Sequence, residues 1–243
     1  MAVRARSRSG RVTARQRLIV ALDTTALAPA LRLARALRGT ASILKIGSAL
    51  FTACGPDAVR RVRALGYAVM LDLKFHDIPT TVELSCRSAA GLGAAWLTAH
   101  ASGGLEMLEA AVRGAREGAA ATGARRPSVL AVTVLTSGRG RDDAARVAAL
   151  ARVATDAGCD GVVASAEEVR LLRRRFGARL RIVCPGIRPA GSAGHDQQRV
   201  CTPSEALRAG ADALVVGRPI TAARDPRAAA RAILNEMEDA LGC

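Results

Sequence analysis

Aromatic residues and long apolar runs are both scarce in this sequence, and each deficit excludes a class of protein. Aromatic residues make up 2% of the 243 residues, which leaves little surface on which nucleic-acid bases could stack. No apolar stretch approaches the roughly 18 residues that a membrane-spanning helix needs, and no apolar segment follows the basic N-terminus as in a secretory signal. We therefore expect a cytoplasmic protein without a membrane partner.

Paired cysteines are also lacking. The six cysteines are scattered without a C-x-x-C pair, and most of them lie inside apolar stretches. Such spacing favours reduced, buried thiols over a disulfide framework or a zinc site. The sequence therefore predicts no metal site built on cysteine.

Lysine is rare although the chain is basic. Of the 36 basic residues only two, Lys45 and Lys74, are lysines, and the others are arginines. An ammonium group is compact and can release its proton, whereas a guanidinium group stays protonated. Both lysines end strand-like runs near aspartates, so we interpret them as residues of a functional site.

The net charge of +15 is partly concentrated at the N-terminus, where residues 1–17 contain six arginines and no acid. This composition predicts a flexible arginine-rich tail at 1–17 and one folded domain at 18–243. In that domain the arginines alternate with acids on helix-like faces, which argues against a nucleic-acid partner. A basic RNA-binding module is the alternative from a different class of function.

Short apolar runs alternate with segments of helical periodicity and predict eight β/α units. Helix starts are marked by Ser165-x-x-Glu168 and Thr202-x-x-Glu205, which have the pattern of capping boxes, and by Asp225 before a proline. The predicted strands are Leu18–Leu22, Ser42–Ile46, Tyr67–Leu73, Ala94–Ala99, Val129–Leu135, Gly161–Ala164, Arg181–Cys184 and Ala213–Val216.

The polar residues decide between a closed barrel and an open doubly wound sheet. They lie at or just after the C-terminal ends of at least seven strands, and only a closed barrel brings all of these ends to one mouth. No G-x-G-x-x-G motif follows the first strand, which argues against a dinucleotide fold. We therefore predict an α/β fold, a single-domain (β/α)8 TIM barrel. These strand-end residues are Asp23, Lys45, Asp72, Lys74, His100, Thr136, Pro185 and Arg218.

The segment from Asp72 to Thr81 has the highest density of reactive side chains. Asp72 and Lys74 are two positions apart on a strand, so we expect both to point into the mouth. Asp77 lies on an extended loop that could reach away from its own barrel, because Pro79 disfavours helix at the preceding residue. Two carboxylates beside an ammonium group keep it protonated, as a general acid requires, although a structural salt-bridge network would share this pattern.

A second group of motifs predicts phosphate binding. Gly217-Arg218-Pro219 follows the eighth strand and Pro185-Gly186-Ile187-Arg188 follows the seventh, where barrels of this type often bind phosphate. The polar, irregular segment 188–199 predicts a mobile lid, with an ordinary surface loop as the alternative.

These motifs together resemble the orotidine 5′-phosphate decarboxylases in their short bacterial form. The resemblance extends from Leu18 to the last helix, and the order and spacing of its motifs are specific. They comprise Leu22-Asp23, Lys45-Ile46-Gly47, Asp72 to Pro79, His100 to Gly104, Val134 to Ser137, Pro185 to Pro189, Asp196-Gln197 and Gly217-Arg218-Pro219. The resemblance implies decarboxylation of orotidine 5′-monophosphate to uridine 5′-monophosphate without a cofactor, by a homodimer in pyrimidine synthesis.

The resemblance also implies a role for each matched residue. Lys74 would protonate C6, Asp72 would lie against the substrate carboxylate, and Asp77 would reach the partner's site to complete an array that includes Lys45. The implied substrate-binding residues are Asp23, Lys45, Asp72 and Thr81, with Thr136 at the pyrimidine and Arg188, Gln197, Gly217 and Arg218 at the phosphate.

The sequence departs from the family's motif pattern at two places, and a second group of enzymes is the alternative interpretation. Ala190 stands where some relatives have glutamine, and the loop after Thr136 is short. The rival is a barrel with the same D-x-K-x-x-D array, the metal-dependent sugar-phosphate decarboxylases and hexulose-phosphate synthases. That group uses an acidic magnesium ligand near the second strand. This chain has Lys45 there, and its positive charge would repel the metal.

Overall fold

A computed structural model of the protein describes residues 12–134, 143–189 and 201–242. Its eight parallel strands form a closed barrel in sequence order, and β1 closes it by pairing with both β2 and β8. The predicted (β/α)8 barrel in a single domain is confirmed. The strands are β1 (Leu18–Ala21), β2 (Ile43–Gly47), β3 (Ala68–Phe75), β4 (Trp96–His100), β5 (Ser128–Val132), β6 (Gly161–Val163), β7 (Arg181–Cys184) and β8 (Ala213–Val216).

Helices follow the strands and form the outer layer. Those described are α1 (Ala14–Arg17), α2 (Leu27–Ala36), α3 (Ser48–Cys54), α4 (Pro56–Ala64), α5 (Pro79–Gly91), α6 (Gly104–Ala121), α7 (Asp143–Asp156), α8 (Val169–Phe176), α9 (Pro203–Ala209), α10 (Arg218–Thr221) and α11 (Pro226–Leu241). Within the described part of the chain, none of them combines the length and the apolar character that crossing a bilayer demands.

Strand side chains alternate between two apolar cores. On β1, Leu18 and Val20 belong to the large core that the helices share, whereas Ile19 and Ala21 belong to a smaller cluster inside the barrel. All four side chains are nearly inaccessible to solvent. This double burial explains why the strands appear in the sequence as continuous apolar runs.

The inner rows of side chains change from apolar to charged towards the mouth. Ile43 on β2 and Met70 on β3 are members of the inner cluster. Residues two positions further along a strand face the same side, so these rows continue with Lys45 and Asp72. The alternation that fills the barrel with apolar side chains thereby delivers an ammonium and a carboxylate group to its C-terminal end.

The predicted capping signals all have their expected geometry. The Thr202 side chain accepts a hydrogen bond from the Glu205 amide at 3.2 Å, and the Glu205 carboxylate accepts one from the Thr202 amide at 2.9 Å. Ser165 and Glu168 form the same reciprocal box at the short 3₁₀ turn before α8. Asp225 caps α11 by accepting hydrogen bonds from two amides of its first turn. These caps satisfy donors that have no partner within the helix.

The N-terminal segment differs from the expectation of a flexible tail up to residue 17. Residues 14–17 form helix α1, and Ala14 is only 2% exposed within the large core. The Thr13 amide donates to Gln16 Oε1 at 2.9 Å, which closes a capping box at the start of this turn. The folded domain therefore begins before residue 18, because a small apolar residue and a cap occur within the basic stretch. Residues 1–11 lie outside the described chain.

The five described cysteines are free thiols. Cys86 and Cys184 are buried, while Cys54, Cys159 and Cys201 are partly buried. Burial raises the pKa of the Cys86 thiol to about 12. This thiol therefore stays protonated and packs as a small apolar side chain.

Helices α5 and α6 pack with their backbones in close contact. A β-carbon on Gly114 would collide with the carbonyl oxygen of Glu83, and one on Gly118 would collide with that of Arg87. An ion pair of 2.6 Å between Arg87 and Glu117 also joins the two helices. Because α5 begins directly after the loop that follows β3, this tight packing fixes the position of that loop.

We expect Gly118→Ala to destabilise the fold by about 1–3 kcal/mol, since overpacking forces the two helix backbones apart. Gly91→Ala is the matched control, because its methyl group would meet Thr122 Cγ2 only at 4.0 Å. It should be neutral or stabilise by up to about 1 kcal/mol through helix propensity. Urea denaturation measures both effects. An unchanged unfolding midpoint for Gly118→Ala would show that the helices separate without cost.

Candidate functional site

The C-terminal ends of β1, β2 and β3 bring two aspartates and two lysines into one chain of ion pairs. Lys45 Nζ lies 3.2 Å from Asp23 Oδ1 and 3.4 Å from Asp72 Oδ2. Lys74 Nζ lies 2.8 Å from the same Asp72 Oδ2. One carboxylate oxygen is therefore shared by two ammonium groups. We call these four residues the aspartate–lysine chain.

Asp72 is the most buried residue of the aspartate–lysine chain. Its side chain is 9% exposed, compared with 36% for Lys74. Burial raises the pKa of Asp72, but attraction to Lys45 and Lys74 and hydrogen bonds from Lys74 and Thr98 outweigh it. The net pKa lies below the ordinary value for aspartate. Asp72 is therefore ionised at neutral pH, and it provides a fixed negative charge between two positive ones.

A bulge in β3 raises Lys74 into the mouth. Strand β3 pairs with β4 through Leu71 and Leu97 and next through Phe75 and Ala99, so four steps on β3 match two on β4. Within this bulge Lys74 has φ of 52°, the only positive φ of a non-glycine residue in the described chain. That left-handed conformation is costly for a side-chain-bearing residue, and such strain is concentrated at functional sites.

Regular strand alternation was expected to place Asp72 and Lys74 on one face. Their side chains do meet, but through the bulge and its left-handed residue rather than through an undisturbed strand. Leu73, between them, points to the other side and lines an apolar hollow of about 450 Å³ against α5.

A small pocket of about 180 Å³ lies beside the aspartate–lysine chain, at the ends of β1, β7 and β8. It is lined by Asp23, Gly217 and two arginines, Arg188 and Arg218. Arg188 is 5% exposed, and its amide donates to the Cys201 carbonyl oxygen at 3.0 Å. The structure thus brings together the arginine motifs that follow β7 and β8. We call this space the upper pocket.

Asp77 and Thr81 do not join this cluster within one subunit. Asp77 is exposed, accepts a hydrogen bond from the Ile78 amide at 2.6 Å, and forms no ion pair with any described residue. Thr81 lines the apolar hollow beside α5. Thr136 and Gln197 lie outside the described residues, as does most of the predicted lid.

Two histidine rings lie close to each other near Lys74. The rings of His76 and His100 are 5.2 Å apart and tilted by 39°. Burial lowers the pKa of His100, and the neighbouring His76 and Lys74 lower it further, whereas Asp72 acts in the opposite direction. His100 is therefore neutral at pH 7 and adds no third positive charge beside the two lysines.

Comparison with known proteins identifies one family. The model described as the orotidine 5′-phosphate decarboxylase / HUMPS family matches residues 16–233. The chain belongs to this family. An orotidine 5′-phosphate decarboxylase from Moorella thermoacetica is 50% identical over 238 residues, which cover 94% of each chain. The one from Anaeromyxobacter sp. (strain K) is 51% identical over 227 residues, or 90% of this chain and 96% of the relative.

Solved structures agree with this assignment. The crystal structure of orotidine 5′-phosphate decarboxylase from Lactobacillus acidophilus matches with a TM-score of 0.81 and 37% identity. The match covers 91% of this chain and 99% of that one. The family and the barrel expected from the motif order are therefore both confirmed.

Thr98 on β4 contacts two members of the aspartate–lysine chain, and sequence reasoning missed it. Its Oγ1 accepts a hydrogen bond from the Lys74 amide at 3.0 Å and donates one to Asp72 Oδ1 at 2.9 Å. The side chain is fully buried. A signal was available, since Thr98 is a polar residue in the middle of β4, and strand alternation places it on the inward face with Trp96 and His100. Because the bulge interrupts the ladder here, the threonine hydroxyl takes over a bond that backbone pairing would otherwise make.

We expect Thr98→Val to raise the pKa of Asp72 towards its ordinary value, because the carboxylate loses a donor. The Lys74 amide also loses its acceptor, at a cost of about 1–3 kcal/mol for an unsatisfied buried group. A depressed carboxyl pKa contributes stability above the unfolded-state pKa, and that contribution is lost as the pH falls through the folded-state pKa. Stability at neutral pH should therefore fall in Thr98→Val, and the part of its pH dependence due to Asp72 should shrink.

NMR titration of the Asp72 carboxyl carbon, with urea denaturation between pH 3 and 7, measures both effects. Thr98→Ser is the matched control, because its hydroxyl can make both hydrogen bonds. A valine variant whose Asp72 titrates as in the unchanged protein would contradict the role given to this hydroxyl.

Proposed function

We propose that this chain decarboxylates orotidine 5′-monophosphate to uridine 5′-monophosphate and CO₂ in pyrimidine nucleotide synthesis, and that it needs no cofactor. The observation that carries the proposal is the ionised Asp72 carboxylate between the Lys45 and Lys74 ammonium groups, beside a pocket lined by two arginines. The relatives of about 50% identity that carry this enzyme's name support the same activity.

The upper pocket suits the 5′-phosphate of the substrate. Arg188 and Arg218 can each present two parallel N–H groups to phosphate oxygens, and the Gly217 amide adds a donor without steric hindrance. Gln197 completes the phosphate site in this proposal. Asp23 lines the same pocket and pairs with Lys45, so a ribose bound between phosphate and base would meet both residues. In this proposal Thr136 binds the pyrimidine.

In the chemical step the bond between C6 and the carboxylate carbon breaks, and its electron pair stays on C6 as CO₂ leaves. The Lys74 ammonium group donates a proton to C6, and the neutral amine then regains a proton from solvent. Asp72 lies against the substrate carboxylate and keeps Lys74 charged and oriented until the transfer. The exposure of Lys74, about a third of its side chain, suits a group that exchanges a proton with water in each cycle.

Proton donation alone is too small an effect for this reaction. The C6 carbanion lies in the ring plane with no adjacent π system to delocalise it, and enzymes lower barriers by about 8–23 kcal/mol. A general acid contributes about 10²–10⁴-fold. Preorganised ammonium groups in a water-poor mouth stabilise the developing negative charge further, and phosphate binding remote from C6 can drive closure over the substrate.

The metal-dependent rival does not fit the residues at the end of β2. A magnesium ion there would need carboxylate oxygens, but the nearest ones, on Asp23 and Asp72, already face the Lys45 ammonium group at 3.2 and 3.4 Å. A divalent cation at this position would have to approach a fixed positive charge. The charge of Lys45 therefore favours the nucleotide enzyme over the metal-dependent branch of the family.

A homodimer completes the site in this proposal. Asp77 and Thr81 lie on the segment after β3, away from the aspartate–lysine chain of their own subunit. Large apolar side chains beside them are exposed, with Ile78 at 66% and Leu84 at 53%. Leu84 also lines the apolar hollow beside α5, and an exposed apolar patch of this kind favours contact with a second copy. Across that contact Asp77 would reach the partner's Lys74, and Thr81 the partner's ribose site.

We expect Lys74→Ala to lower turnover by at least about 10³-fold, because the variant loses both the proton donor and a stabilising charge. The fold should persist, as judged by circular dichroism. Arg218→Ala is the contrast, since it should act mainly by raising KM for orotidine 5′-monophosphate. An absorbance assay in excess EDTA measures both variants and the unchanged enzyme. Loss of the unchanged enzyme's activity in EDTA would instead support the metal-dependent rival, and near-normal turnover of Lys74→Ala would exclude the proton-donor role.

Mixing inactive Asp77→Ala and Lys74→Ala subunits should restore activity, because one of the two sites in each heterodimer would have both residues. Each heterodimer should have about half the activity of the unchanged dimer. Differently tagged subunits allow the heterodimer to be purified before the assay. Each variant mixed with itself is the control and should stay inactive. A purified heterodimer without activity would rule out the shared site.

A further inference from the structure

A second cavity lies at the opposite end of the barrel from the aspartate–lysine chain. Its volume is about 620 Å³, and it is bordered by the first residues of β4, β5, β7 and β8. Helix α1 contributes one wall through Gln16 and Arg17. We call it the lower cavity.

Six arginines line this cavity: Arg17, Arg63, Arg125, Arg126, Arg179 and Arg181. Among the described residues only two acids, Asp160 and Asp212, line it with them, so the charge of this lining is 6 − 2 = +4. Arginine makes up about a third of the lining, more than twice its share of the chain. The lower cavity is therefore strongly positive even for this basic protein.

Both acids already have partners. Asp160 binds Arg126 through two hydrogen bonds of 2.9 and 2.6 Å, and Asp212 pairs with Arg173, which is not part of the lining, at 2.7 Å. Among the described residues, no carboxylate forms an ion pair with any of the other five lining arginines. Their positive charge is left for solvent or for a bound anion.

Two of these arginines are held in place by neutral groups. Arg63 Nη1 donates to the Leu92 carbonyl oxygen at 3.0 Å, and its guanidinium lies where any side chain at Gly93 would collide with it. Arg181 lies over the Trp96 ring at 5.2 Å and donates to Ser128 at 3.1 Å. A guanidinium group has five N–H donors, so each retains donors in a fixed position. Preorganised forks of this kind suit phosphate oxygens.

We propose that the lower cavity binds a compact polyphosphate anion, either free or as the triphosphate of a nucleotide. The cavity volume lies in the range of about 300–1,000 Å³ for small-molecule sites. The excess charge of the lining matches a triphosphate better than a single phosphate. This site is separate from the upper pocket and does not depend on the function proposed above.

The single tryptophan of the chain, Trp96, lines the lower cavity and gives a local signal. Titrating the full chain with inorganic tripolyphosphate should change Trp96 fluorescence in a saturable way. Isothermal titration calorimetry should give a dissociation constant at least about tenfold lower for tripolyphosphate than for orthophosphate, and raised salt should weaken binding. The same titrations are carried out with ATP. Equal affinity for ATP and tripolyphosphate would show that phosphates alone are recognised, whereas tighter binding of ATP would add the nucleoside to the ligand.

The test variant is Arg125→Ala combined with Arg179→Ala, since both side chains are exposed and lie at the cavity. It should weaken tripolyphosphate binding at least about tenfold. Arg227→Ala combined with Arg231→Ala removes the same charge from an exposed face of α11 outside the lining and should have little effect. Thermal melting checks that both proteins fold. Absence of a saturable fluorescence change, binding of ATP without binding of tripolyphosphate, or equal loss in the two double variants would overturn the proposal.

Discussion

Attraction of two ammonium groups to one carboxylate oxygen organises the mouth of this barrel. Without Asp72, the side chains of Lys45 and Lys74 would repel each other, and without the lysines a carboxyl group this buried would favour its protonated form. At an effective dielectric constant of about 20, one such contact is worth about 4 kcal/mol at 4 Å. The two lysines therefore favour the ionised form of Asp72. The chain's own residues hold this array together, and in the proposed function such preorganisation is the condition for electrostatic catalysis.

Neutral groups position these charges. Thr98 satisfies the Lys74 amide and one Asp72 oxygen from the neighbouring strand, and His100 stays uncharged because it is buried. The apolar rows that end in Ile43 and Met70 fill the barrel beneath them. This end of the barrel is thus a small charged layer above an apolar base, and the cost of burying its charges is met by their pairing.

The fold was predictable because its signals are local and repeated eight times. Apolar runs, capping boxes and the spacing of strand ends each depend on neighbouring residues, and a closed barrel converts strand-end positions into a common mouth. The proximity of Asp23, Lys45, Asp72 and Lys74 followed from this logic. Thr98 and the bulge did not, because they depend on how β3 and β4 align in space. The short helix at Ala14 lies in a basic stretch that gave no helical signal, and the role proposed for Asp77 requires a second subunit, which the sequence of one chain does not position.

In the proposed mechanism, the left-handed backbone at Lys74 sets fold stability against catalytic activity at a single position. Glycine or asparagine would adopt that conformation with less strain, yet neither carries an ammonium group. Natural selection that acted on thermostability alone would therefore be expected to remove the lysine, and its retention requires the remainder of the barrel to tolerate the strain. Libraries screened only for heat resistance would tend to discard position 74 first.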